Sequence, residues 1–111
     1  MNVPGEKIIQ RTHDAVSAVQ VYSATFHVEL NTIFVCNHTS SQSFSIYHTS
    51  GEDFSAGNAL FLNREIFPND TILIQSDHIG SGIQLVPGDK VGIGCSSDAT
   101  FTFYGIARAS R

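Results

Sequence analysis

Five histidines are the residues of this 111-residue chain best suited to proton transfer or metal binding. They are His13, His27, His38, His48 and His78. None has the His-x-Glu or His-Glu-x-x-His spacing of a metal site, and none is closely spaced with a cysteine. The nearest grouping is His48 with Glu52 in "HTSGED", which we interpret as a hydroxyl-rich turn with solvated acids. The sequence therefore predicts no metal and no other cofactor.

The sequence also lacks motifs for a catalytic nucleophile and for phosphate binding. Serines are abundant, but none lies in a Gly-x-Ser-x-Gly motif with a plausible triad partner. The glycines of "GSGIQLVPGDKVGIG" precede a predicted strand, whereas a phosphate-binding loop opens a helix. A cupin-like metal enzyme ranks last, because the cupin pair of histidines one residue apart, followed by a glutamate, is absent. We therefore expect no enzymatic activity.

The charge pattern restricts the partners of the chain. Charged residues make up 14% of it, against about 25% in a typical soluble domain, and the formal net charge is −4. The six lysines and arginines are scattered, so we expect no nucleic-acid binding. No apolar run approaches the roughly 20 residues that cross a bilayer, and the amino end lacks the apolar segment of a secretory signal. We expect no membrane partner and no export through a cleaved signal.

The two cysteines, Cys36 and Cys95, are too few for a disulfide framework and form no Cys-x-x-Cys pattern. Their position inside apolar strands favours buried free thiols. A disulfide stays open as an alternative, because it requires only that their Cα atoms lie within about 7 Å.

Alternation of apolar and polar residues with period two dominates the chain, with turn residues roughly every 8–12 positions. This pattern predicts short antiparallel strands and no helix. In "TFHVELNTIFVCN", Val28 and Leu30 alternate with polar residues, but both faces become apolar beyond Asn31. We therefore predict a bulge or break near Asn31 and Thr32. About eight strands predict an all-β fold, an antiparallel β-sandwich of jelly-roll type.

The first fourteen residues show no alternation beyond the apolar pair Ile8 and Ile9, and they contain Pro4 and Gly5. We predict an extended N-terminal arm over residues 1–14 and a single jelly-roll domain over residues 15–111. Two interpretations of the arm stay open. It is either a disordered terminus or a segment that docks on a neighbouring subunit through Ile8 and Ile9.

The stretch "LVPGDKVGIGCSSDATFTFYGI" predicts two strands joined by a Ser-Ser-Asp turn. Val91, Ile93 and Cys95 would face the core, which places Gly92 and Gly94 on the opposite face. Glycine inside a strand often marks the close approach of a ring or another backbone. Gly92 and Gly94 are therefore candidates for contact with a neighbouring subunit.

The tyrosines lie on strand faces opposite the predicted core. Tyr22, Tyr47 and Tyr104 could each stack on a sugar, but a tyrosine in such a position is more often a half-buried surface ring capped by its hydroxyl. A glycan-binding module would use these rings with the loops 51–58 and 77–82. The tripeptides "NHT" and "NDT", at Asn37 and Asn69, are formal glycosylation acceptors that we interpret as turn residues.

Three motifs in order, "TIFVCNHTSSQSFSIYHTSG", "REIFPNDTILI" and "IQLVPGDKVGIGCSSDATFTFYGI", resemble a group of small virion proteins of tailed bacteriophages. The resemblance covers about residues 28–106. It implies a non-enzymatic decoration or cement protein that binds the major capsid protein and stabilises the phage head, in a virion assembled in the host cytoplasm. A tail-fibre or other tail module that binds a receptor or glycan is the alternative. The Tyr-x-Val-Pro step expected before the long strand is absent, since the chain has "VYSATFHVEL" there.

The last motif is also similar to the end of the C1q and tumour-necrosis-factor jelly rolls, which are trimers that bury aromatic residues around the threefold axis. This similarity implies that Phe103 and Tyr104 lie in a subunit interface, and we expect a homo-oligomer, either a dimer or a trimer. Fold similarity alone does not transfer function. The candidate interface residues are Ile8, Ile9, Tyr47, Gly92, Gly94, Phe103 and Tyr104.

Overall fold

A computed structural model of the chain describes residues 6–13, 17–51, 54–75 and 82–108. Within these residues the chain forms nine β-strands and one short 3-10 helix, Ala56–Asn58. The strands are β1 Glu6–His13, β2 Val19–Ser23, β3 His27–Asn37, β4 Gln42–Thr49, β5 Ala59–Ile66, β6 Thr71–Gln75, β7 Ile83–Leu85, β8 Lys90–Cys95 and β9 Ala99–Arg108. No helix in the described part of the chain is long and apolar enough to span a membrane.

The strands form two antiparallel sheets. The first sheet has the order β1-β9-β3-β6, with the short β7 also paired to β3, and the second sheet has the order β2-β8-β4-β5. The antiparallel pairs β1–β9, β2–β8, β3–β6 and β4–β5 nest one inside the next along the chain. A long hairpin rolled into two facing sheets has this nesting, which is the jelly-roll arrangement. The predicted all-β sandwich is therefore confirmed, with β7 as a short addition to eight main strands.

The segment predicted as an arm belongs largely to the sandwich. Residues Glu6–His13 form β1, which pairs with β9 from Glu6 opposite Gly105 to His13 opposite Ala99. A register shift between Lys7 and Ile9 breaks the alternation of β1, so its sequence did not show the period of a strand. Pairing also covers an edge that the ten-residue β9 would otherwise expose. The other residues of the predicted arm, 1–5 and 14, lie outside the described residues.

The predicted bulge in the long strand β3 is confirmed. The pairing of β3 with β9 shifts register between Leu30 and Thr32. Before the shift Val28 and Leu30 face the core, and after it Ile33 and Val35 do so, although they differ in parity. The bulge therefore lets one strand of eleven residues keep its apolar face inward along its whole length.

The core lies between the two sheets. Its largest rings, Phe44, Phe101 and Phe103, are at most 1% exposed. Phe44 and Phe101 meet edge to face, with ring centroids 6.0 Å apart, and so join the second sheet to the first. The buried apolar residues are Ile9, Ala24, Val28, Leu30, Ile33, Val35, Phe44, Ile46, Ile66, Ile74, Ile83, Leu85, Val91, Ile93, Cys95, Ala99, Phe101 and Phe103.

A buried amide pair ties together three turns at one end of the sandwich. Asn37 is 2% exposed, and its Nδ2 donates to the backbone oxygen of Phe67 at 2.8 Å. Its Oδ1 accepts from Gln42 Nε2 at 2.6 Å, and that nitrogen also donates to the backbone oxygen of Asp98 at 2.9 Å. Gln42 Oε1 accepts from the backbone N–H of Ser97. Asn37 is thus a structural residue of the turns, and its buried amide is not accessible to a glycosylating enzyme.

Candidate functional site

An apolar patch occupies the outer face of the first sheet. Phe34 of β3 lies in register with Leu73 of β6, and the two side chains are 37% and 42% exposed. The half-buried ring of Tyr104 in β9 meets Phe34 edge to face, with centroids 5.8 Å apart. Three neighbouring strands therefore present adjoining apolar side chains to solvent. We call Phe34, Leu73 and Tyr104 the aromatic patch.

Tyr104 is the one residue of the aromatic patch that was also a candidate interface residue from the sequence. The signal for the other two was present, because both faces of "TIFVCN" are apolar, and "TILI" continues this pattern in β6. A strand with one wet face has polar residues at alternate positions, so Phe34 and Leu73 depart from the expected pattern. Apolar residues on both faces of a strand therefore indicate an exposed apolar surface, which the candidate list did not include.

Two of the seven candidate interface residues have side chains buried in the core. Ile9 is 6% exposed and Phe103 is fully buried, and both belong to the core between the sheets. Ile8 is half-buried and packs against that core. The β1 bulge and the inward phase of β9 place these side chains, so Ile9 and Phe103 cannot contact a neighbouring subunit directly. Tyr104, on the opposite face of β9, is half-buried, whereas Phe103 is fully buried.

Gly92 is explained within the subunit. The ring of Phe54, from the loop after β4, lies directly over Gly92, and a Cβ added there would come within 2.7 Å of two ring carbons. Phe54 also contacts the ring of Tyr47, with centroids 5.9 Å apart. The predicted close approach of a ring to Gly92 is therefore correct, but the ring belongs to the same chain and not to a neighbour.

Gly94 and Tyr47 face a polar concavity on the outer face of the second sheet. Gly94 is buried and lies in register with Ser45 of β4. Ser43, Ser45, Tyr47, Asn63, Gly94, Cys95 and Ser96 line a small pocket there. An adjoining concavity of about 450 Å³ is lined by Ser41, Gln42, Ser43, Asn63, Glu65 and Ser96. We call the two together the serine trough.

The four described histidines, His13, His27, His38 and His48, form separate contacts. In the described part of the chain no three histidine, cysteine, aspartate or glutamate side chains are grouped so as to hold a metal ion. His38 Nε2 lies 2.6 Å from Thr100 Oγ1, and His27 Nε2 lies 2.8 Å from Gln84 Oε1. His78 and Glu52 lie outside the described residues.

The hydrogen bond of His48 with Asp89 holds the turn between β7 and β8. His48 Nε2 donates to Asp89 Oδ2 at 2.9 Å, and the backbone N–H of Val86 donates to the same oxygen at 3.1 Å. Burial by itself raises the pKa of the Asp89 carboxyl, but these hydrogen bonds outweigh it, so that pKa lies below its ordinary value. The contact therefore ties β4 to the turn that leads from β7 into β8.

Both cysteines are free. Cys95 is buried, and its Sγ donates to the backbone oxygen of His13 at 3.1 Å. Cys36 is only partly buried, since it lies on the outer face of β3, in register with Thr71 and Thr100. The expected free thiols are thus confirmed, while burial holds for Cys95 alone.

Comparison with known proteins assigns no family. No family model matches the chain, and no curated protein matches it. A chain in the "Structure of infectious bursal disease virus Gx strain" is similar in structure, with a TM-score of 0.42 and 12% sequence identity. The match covers 91% of this chain and 30% of the viral chain, so this chain spans about a third of its length. At this level the similarity assigns neither family nor function.

Proposed function

We propose that this protein is a structural component of a virion that acts by binding alone, without catalysis. In this proposal it decorates the head of a tailed bacteriophage and binds the major capsid protein through the aromatic patch. The observation that carries the proposal is the contiguous exposure of Phe34, Leu73 and Tyr104 on one sheet face. Exposed apolar side chains that adjoin one another favour a protein interface, whereas singly scattered ones are ordinary on soluble proteins.

The surroundings of the aromatic patch suit a close-fitting contact. Thr32, Thr71, Thr100 and Thr102 lie in register with the patch residues or with Cys36, and none of them is charged. Charged groups are depleted at the centre of interfaces because burying them without partners is costly. Lys7 lies in register with Tyr104 on the edge strand β1, so a partner with a complementary apolar surface could cover the patch with this charge at the rim of the contact.

The mechanism follows from mass action. A protein that binds the assembled shell but not free capsid subunits shifts the equilibrium toward the shell. Copies that span the seams between capsomers would add contacts that offset internal pressure. Self-association into a dimer or a trimer is the competing use of the aromatic patch, and it would leave less of the patch for the capsid.

The test is the composition and appearance of virions. Particles purified with and without this protein are compared by mass spectrometry and negative-stain imaging. We expect a stoichiometric copy number, added density on the head, and earlier loss of DNA on heating when the protein is missing. Absence of the protein from purified particles would overturn the proposal.

A tail-fibre or other tail-associated module is the second candidate. The serine trough beside Tyr47 favours it, because a receptor-binding module needs an exposed site for a polar ligand. The same images separate the two candidates, since density on the tail instead of the head would replace the decoration proposal with this one.

A further inference from the structure

We propose that the serine trough is a binding site for a neutral saccharide, which stacks on Tyr47 and hydrogen-bonds to the polar side chains beside it. The small pocket that contains Tyr47 and the larger concavity share Ser43, Asn63 and Ser96, so together they form one continuous depression. The larger part, about 450 Å³, lies within the range of roughly 300–1,000 Å³ found for small-ligand sites.

The walls of the trough are fixed by the fold. Asn63 has a left-handed backbone, with φ of 52°, at an irregularity in the pairing of β5 with β4. Its backbone N–H donates to Ser45 Oγ at 2.9 Å, which anchors this distorted segment. On the other side, the backbone N–H of Ser43 donates to Ser96 Oγ at 3.1 Å. A trough held in this way loses little conformational freedom when a ligand binds.

The lining is polar and has spare hydrogen-bonding capacity. Within the described part of the chain, the side chains of Ser41, Ser43, Asn63 and Glu65 form no hydrogen bond with another described residue. An apolar ligand would strip water from these groups without replacing its hydrogen bonds. A ligand rich in hydroxyl groups can both donate to the carboxylate and accept from the hydroxyls and the amide. A saccharide is therefore the ligand class that matches this lining.

Tyr47 supplies the aromatic surface that a pyranose ring needs. Its ring is half-buried and is held in place by Phe54, which itself packs over Gly92. A ring held by its neighbours offers a large, rigid contact area at low entropic cost. Gly94, in register with Ser45, has no side chain, so the pocket next to Tyr47 is not filled from this position.

The charge of the trough selects against anionic sugars. Glu65 is the ionisable side chain among those that line the larger concavity. A carboxylate repels a sialic acid or a sugar phosphate at short distance, while it accepts hydrogen bonds from neutral hydroxyl groups. The site should therefore prefer lactose to sialyllactose. The trough and the aromatic patch lie on opposite outer faces of the sandwich, so docking through the patch would leave the trough open.

The test is titration of the purified protein with sugars, followed by ligand-observed NMR. The panel contains glucose, galactose, N-acetylglucosamine and lactose, with sialyllactose as the anionic counterpart of lactose. Asn63→Gly removes the amide while allowing the left-handed backbone, and Tyr47→Ala removes the ring. Tyr104→Ala is the matched control, because it removes a half-buried tyrosine from the opposite face. Circular dichroism and thermal melting verify that each variant is folded.

We expect saturable binding of at least one neutral sugar, weakened about tenfold or more by Tyr47→Ala, weakened by Asn63→Gly, and unchanged by Tyr104→Ala. Should Tyr47→Ala fail to fold, Asn63→Gly decides. No saturable binding to any neutral sugar of the panel overturns the inference. So does binding that Asn63→Gly leaves intact, or tighter binding of sialyllactose than of lactose. The inference stands or falls independently of the capsid proposal, which concerns the other face.

Discussion

The ring of Phe54 lies so close over Gly92 that a Cβ added at Gly92 would sit 2.7 Å from two of its carbons. The loop that follows β4 thereby closes onto the outer face of the second sheet. The contact also fixes the ring of Tyr47, which forms one wall of the serine trough. A glycine inside a central strand, which weakens the strand by itself, is here a requirement of a contact within the subunit.

Gly92→Ala is therefore expected to destabilise the isolated subunit by about 1–3 kcal/mol, the range for overpacking. The measurement is urea unfolding at equilibrium. In a Phe54→Ala background the same change should be neutral or slightly stabilising, because alanine is a better strand residue than glycine. An equal loss in both backgrounds would show that the Phe54 ring is not the reason for Gly92.

Asn37→Ala should lower the free energy of unfolding by about 2–4 kcal/mol, because it removes the hydrogen bonds that the buried Asn37 amide forms with the backbone oxygen of Phe67 and with Gln42 Nε2. Asn69→Gly is the matched control, since Asn69 lies exposed in a turn with φ of 55° that glycine adopts easily. Chemical denaturation measures both variants. Equal stability of the two would contradict the role given to the buried amide.

Acid should weaken the contribution of Asp89. Its pKa in the folded protein lies below the ordinary value of 3.8, because the hydrogen bonds from His48 and Val86 outweigh burial. The stabilisation is therefore fully present above the unfolded pKa and is lost as pH falls through the folded pKa. The difference in unfolding free energy between wild type and Asp89→Asn should therefore shrink as the pH falls below about 4. A difference independent of pH down to the acid transition would contradict the stabilisation of the Asp89 carboxylate by these hydrogen bonds.

Thiol labelling reports on the face that carries the aromatic patch. In the free protein a thiol reagent should modify Cys36 quickly, since it is partly exposed, and the buried Cys95 slowly. Cys36→Ser should remove the fast phase. If the patch docks on a capsid, Cys36 should become protected on particles. Equal labelling rates on and off the particle would show that this face stays open.

The strand pattern predicted the all-β jelly roll because alternation with period two reports directly which face of a strand is buried. The bulge near Asn31 was also predictable, since both residue phases of β3 carry apolar side chains. β1 was not, because the register shift between Lys7 and Ile9 hides its alternation, and its partner β9 is remote in sequence.

The surface features were only partly predictable. The sequence marked Gly92 as a point of close approach, but only the structure shows that the ring of Phe54 fills it. The sequence pattern predicted that Tyr47 lies on the solvent-facing side of its strand. It did not predict the trough beside Tyr47, because that depression depends on the pairing of β4, β5 and β8. A depression built from residues on separate strands and turns has no local sequence signal.

The most direct measurement compares Leu73→Asp with Leu62→Asp in binding to purified heads that lack this protein. Leu73 and Leu62 are 42% and 49% exposed, but only Leu73 belongs to the aromatic patch. Both variants should melt close to the wild-type temperature. If the patch docks on the capsid, Leu73→Asp should abolish cosedimentation with heads, because it buries an unpaired charge, and Leu62→Asp should bind like wild type. Equal binding by the two variants would contradict docking through the first sheet.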